Sequence, residues 1–132
     1  MIEPDPERGS RELQRMNQPP YKMDTNRREV VLAAVRERCQ KQHWSLLATH
    51  VRTNHVHIVA AGEARPERIM NDLKSYASRC LNQTGCDEPD RKRWARHGST
   101  RWLWKPEHVS RAIRYVIDEQ GEAMAVFEAV EN

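Results

Sequence analysis

Two histidines separated by one residue, His55-Val56-His57, and a later tyrosine, Tyr115, are the residues of this chain whose types and spacing could do chemistry. Successive side chains on a β-strand alternate between its faces. His55, His57 and Val59 would therefore share one face, and Val56, Ile58 and Ala60 the other. Two imidazoles on one face can bind a divalent ion together, since neutral imidazole is a common metal ligand. The same pattern also arises on solvated strand faces, so by itself it does not distinguish a metal site from two surface histidines. Of the remaining histidines (His43, His50, His97 and His108), His50 lies nearest the pair and could support it, but an ordinary surface place is expected for it.

Tyr115 belongs to a segment whose apolar positions Val109, Ala112, Ile113, Val116 and Ile117 recur at helical spacing. The tyrosine stands on the flank of that stripe, with Glu119 four residues further along. A half-buried structural tyrosine is the bland reading. The chemical reading joins it to the histidines. A phosphodiester resists attack because its oxygens are anionic and its leaving alkoxide is poor. A divalent ion can polarise it, and a deprotonated tyrosine can then attack. The phosphotyrosine ester that results conserves the bond energy, so a strand can be rejoined without ATP.

The elements that must position these groups follow from periodicity. Residues 1–22, with prolines at 4, 6, 19 and 20, read as a polar arm. Asp24 or Thr25 caps a helix to about Gln40, with Val30, Val31, Ala34, Val35 and Cys39 as its apolar positions. His43–Val51 and His55–Ala60 read as strands joined by a short turn, hence antiparallel neighbours. Pro66 opens a helix to about Gln83, Thr100–Lys105 reads as a third strand, and Pro106 opens the tyrosine helix, which stops before Gly121. This order predicts an α+β domain over residues 23–127, with an antiparallel sheet and helices packed on one face, followed by a short tail, 128–132.

Composition bounds the rest. A chain of 132 residues, 38% hydrophobic and 31% charged, suits one soluble domain. It has no apolar run long enough to span a bilayer, and its N-terminus lacks a secretory pattern, so a cytoplasmic protein with no membrane partner is expected. Three cysteines without C-x-x-C spacing argue against a disulfide framework or a structural zinc site, and Cys39 and Cys80 read as small core residues. The net charge of +3 is unevenly placed: Arg91 to Arg114 holds eight Lys or Arg against the single acid Glu107, interleaved with Trp94, Trp102 and Trp104. Basic groups neutralise phosphates and indoles stack on unpaired bases, so the mixture suits single-stranded nucleic acid. A solvated basic face with core tryptophans suits it equally well.

Thr53-Asn54-His55-Val56-His57-Ile58-Val59, Leu73–Asn82, His97–Trp104 and Arg114-Tyr115-Val116-Ile117 together resemble, in order, segments of the single-tyrosine HUH transposases of insertion sequences and REP elements. The resemblance covers about Tyr21 to Phe127. It implies a ferredoxin-like fold and a single-strand DNA endonuclease and strand transferase that acts at DNA hairpins. It implies Tyr115 as nucleophile forming a 5′-phosphotyrosine, Mg²⁺ or Mn²⁺ on His55 and His57, and often a homodimer. The third ligand of the family falls on Glu119, with Gln120 as the neighbouring alternative; Lys74, Arg93, Arg96, Arg101 and Lys105 are candidates for DNA phosphate contacts. One departure stands out. The family's core opens with a strand before the first helix, whereas Ser10–Pro20 here is polar and contains Pro19-Pro20. The alternative is therefore a catalytically inactive, N-terminally shortened DNA-binding relative.

Overall fold

The computed structural model describes residues 18–94, 106–118 and 121–129. They form α1 (Thr25–Lys41), β1 (Ser45–Val51), β2 (Val56–Ala61), α2 (Pro66–Thr84), α3 (Pro106–Asp118) and β3 (Ala125–Glu128). The Asp24 carboxylate accepts from the Arg27 amide at 2.9 Å and caps α1. Pro66 starts α2, and Gly85, in the left-handed region at φ 71°, ends it. His43 also has positive φ (60°), which turns the chain out of α1 and delays the strand to Ser45.

The sheet is antiparallel, in the order β2-β1-β3. The α+β class is as expected, with one strand fewer than a ferredoxin-like sheet among the described residues. The expected strand at Thr100–Lys105 lies outside the described residues, and β3 comes from a segment the periodicity had assigned to no element. Four residues are too few for alternation to register, and pairing with β1 defines this strand.

The helices occupy both faces of the sheet, not the single face expected. On one face α1 and α2 bury Val31, Ala34, Val35, Cys39, Ile69, Leu73, Ala77 and Leu81 together with Val51 and Ala125, and Val56 and Ile58 pack against them. On the other, α3 sets Val116, Ala112, Ile113 and Ile117 against Ala48, Val59 and Leu47. A bulge between Leu46 and Ala48 lets the neighbours Leu47 and Ala48 serve the same cluster. The one-face expectation took Val56, Ile58 and Ala60 as the only packed side of β2. Val59, on the histidine side, also needs cover, and α3 provides it.

The described residues ahead of α1 are held by the domain. Tyr21 and Met23 are buried, and the Tyr21 hydroxyl donates to Asp87 at 2.6 Å. Asp87 also receives Arg27 and Arg93 at 3.0 and 3.3 Å. Burial would raise its pKa, but hydrogen bonds from Tyr21, Arg27 and Cys86 and the charge of Arg27 outweigh that and hold it at about 2. Gly62, just past β2, lies under the Trp44 indole, where any Cβ would collide with the ring.

Candidate active site

β2 and the residue before it present the two histidines as strand alternation requires. The His55 and His57 rings lie 4.7 Å apart, centroid to centroid, at 89°. Their face is the one that α3 covers, because Val59 shares it and packs on Val116. Tyr115 precedes Val116 on α3. Its ring centroid is 6.1 Å from that of His57, again edge to face at 89°, and half of its surface remains exposed. The apolar stripe of α3 thus fastens the helix while its flank turns the tyrosine toward the histidines.

The Asn54 side-chain oxygen lies 2.6 Å from His55 Nδ1. A carbonyl oxygen only accepts, so Nδ1 is the donor, and in the neutral ring this leaves the Nε2 lone pair for a ligand. The donor set fits a divalent ion in part: two neutral nitrogens on one face, needing a hard oxygen ligand from elsewhere. Among the described residues no group of three or more His, Cys, Asp or Glu gathers, and Glu119 and Gln120 lie outside them.

The other two tyrosines are placed elsewhere. Tyr21 is buried with its hydroxyl on Asp87, and burial and that hydrogen bond raise its pKa. Tyr76 stands on α2, beside Arg38 and Lys41 of α1, and packs in the cluster on the opposite face of the sheet.

Of the expected DNA contacts, Arg96, Arg101 and Lys105 lie outside the described residues. Arg93 has a different place: its side chain is 2% exposed and binds Asp87, Asn82 and the Ser78 carbonyl. Trp94 is half-buried beside it, its indole N–H donating to Ser78 Oγ at 2.7 Å. Lys74 lines an open groove of about 390 Å³ with Asn71, Ser75, Lys92 and Trp94, and burial lowers its pKa. That groove belongs to α2, so the structure does not bring Lys74 beside Tyr115.

His50, expected at the surface, is fully buried. Its ring lies 3.1 Å from the Val116 carbonyl through Nδ1 and 3.0 Å from the Met124 amide through Nε2. Burial lowers its pKa, against the opposing effect of the Val116 bond. The signal was present in the sequence, because His50 stands on a strand among Leu46, Leu47, Ala48 and Val51. The partners that would accept a buried imidazole lie far along the chain.

The class these features define is an α+β domain with a His-x-His strand packed beneath a tyrosine helix. The family model for IS200-like transposases matches residues 20–116, and the chain belongs to that family. No curated protein and no solved structure matches the chain. The family carries with it a transposase-type function, DNA recombination and DNA as partner. No helix among the described residues is long and apolar enough to cross a membrane.

Proposed function

We propose that this chain is a metal-dependent single-strand DNA endonuclease and strand transferase working through a 5′-phosphotyrosine intermediate at DNA hairpins. The observation that carries the reading is the placement of Tyr115 beside His57 on the face that also bears His55. In the proposed step Tyr115 Oη attacks the scissile phosphorus and the bond to the 3′ oxygen breaks. The 5′ phosphate stays on the tyrosine, and the released 3′ oxygen takes up a proton. Attack by that 3′-OH, or by another, reverses the step and rejoins a strand. His55 and His57, with Glu119 or Gln120, would hold Mg²⁺ or Mn²⁺, which when bound polarises the phosphate and offsets its developing charge. Arg96, Arg101, Lys105 and Lys74 would meet DNA phosphates, and a homodimer is part of the same reading.

The test is incubation with labelled single-stranded hairpin DNA and Mn²⁺, followed by denaturation. A covalent protein–DNA adduct is expected, absent in Tyr115→Phe. An adduct that survives in Tyr115→Phe removes the assignment of the nucleophile. His55→Ala should abolish both Mn²⁺ binding and adduct formation; cleavage at the wild-type rate would remove the metal site. A second reading, an inactive DNA-binding relative, is favoured by the sheet having, among the described residues, one strand fewer than a ferredoxin-like sheet. Hairpin binding without an adduct would select it.

A further inference from the structure

α3 carries the tyrosine but is lightly held: Val116 is its only buried residue among thirteen. Apolar contact is non-directional. With Val116 as its single buried side chain, the stripe restrains the position of α3 along its own axis less than an interlocked core would, and a translation by one residue's rise would displace Tyr115 by about 1.5 Å.

Two directional bonds at this interface, among the described residues, come from His50. It stands opposite His57 in the β1–β2 ladder, on the α3 side of the sheet. An amide N–H only donates and a carbonyl only accepts. The bond from Met124 to Nε2 and the bond from Nδ1 to Val116 therefore define one state of the ring, neutral with its proton on Nδ1. Val116 lies in the last turn of α3, where carbonyls lack intrahelical donors. Met124 is the residue before β3. One imidazole thus ties β1 to the end of the tyrosine helix and to the entrance of the edge strand. A leucine could fill the space at lower desolvation cost, but it could make neither bond.

We propose that His50 is the positioning residue for the nucleophile, setting the axial position of α3 so that Tyr115 stands beside His57. The inference rests on the reading of Tyr115 as nucleophile. It predicts that the Nδ1 bond to Val116 matters more than the bulk of the ring.

The experiment compares wild type, His50→Leu and His50→Asn as full chains, each below its melting temperature. An Asn side-chain nitrogen occupies the level of Nδ1 and can keep the bond to Val116. Single-turnover adduct formation at saturating hairpin DNA and Mn²⁺ should fall about 100-fold in His50→Leu. His50→Asn should recover about tenfold of that loss, and Mn²⁺ binding should stay within about threefold of wild type in both. A folded His50→Leu protein reacting at the wild-type rate overturns the proposal. So does Asn performing no better than Leu, or Mn²⁺ affinity falling in step with the rate.

Should wild type form no adduct, the nucleophile reading fails and the positioning claim is decided by NMR. A Tyr115–His57 ring contact and a protected Met124 amide are expected in wild type and lost in His50→Leu; their persistence overturns the claim. If His50→Leu does not fold, the ¹⁵N spectrum of wild type decides, because a proton on Nε2 contradicts the geometry.

Discussion

The two faces of the sheet are built to different standards. On the α1–α2 face, four residues of each helix are buried in one cluster with Tyr21, Met23, Val51 and Ala125. The charges at its border are matched, with Asp87 between Arg27 and Arg93 and Asp72 held by Arg38 at 2.6 Å. On the α3 face the cluster of described residues is smaller, the helix buries one residue, and a half-exposed tyrosine stands beside His57. The larger buried cluster and the proposed chemistry thus lie on opposite sides of the three described strands. A site proposed to admit a DNA strand cannot be closed as a core is closed, so on that reading its rigidity would come from the sheet beneath it and from bonds such as those of His50.

Changes on the two faces should separate accordingly. The largest effect is expected at Asp87→Asn, which leaves Arg27 and the buried Arg93 without their shared anion. Unfolding in urea at pH 7 should show a loss of about 3–5 kcal/mol. The carboxyl is held at about 2, below its ordinary 3.8, so its contribution is complete above about pH 4 and lost as pH falls toward 2. The gap between wild type and Asp87→Asn should narrow over that window; a gap unchanged at pH 2.5 would show that the ion pairs do not stabilise this face. Next comes Leu81→Ala, at a fully buried position of α2. It should cost about 3 kcal/mol while adduct formation per folded molecule holds.

Val116→Ala should cost only about 1–2 kcal/mol yet slow the adduct step, because it loosens the helix bearing the tyrosine. If it instead destabilises as much as Leu81→Ala and leaves the rate intact, the division between the faces does not hold. The smallest effect is expected at Lys74→Ala. Binding of hairpin DNA should weaken, and the slope of log affinity against log salt should fall by about one. An unchanged slope would take the α2 groove out of the DNA path.

Much of this was legible in the residues. Asp24 as cap, Pro66 at a helix start and the stripes of α1, α2 and α3 are local signals, and the helices begin and end within a residue or two of them. The His-x-His alternation likewise needed only the period of a strand. The bias of Arg91–Arg114 toward Lys and Arg was legible too, but not what each residue does with its charge. Arg93 and Trp94 turned inward to Asp87 and Ser78, partners chosen by how the loop after α2 folds back. β3 was missed because a four-residue strand has no period of its own and exists by pairing with β1.

The residues by themselves determined the three helices, β1 and β2, the common face of His55 and His57, and the flank position of Tyr115, because each depends on spacings of a few residues. Only the tertiary structure decided that helices cover both faces, that Tyr115 comes within 6.1 Å of His57, and that His50 is a buried tie rather than a surface histidine. The placement of α3, of Tyr115 and of His50 rests on contacts between residues more than fifty positions apart. No local periodicity encodes them; they follow from which apolar surfaces must cover one another and which polar groups must then be satisfied beneath them.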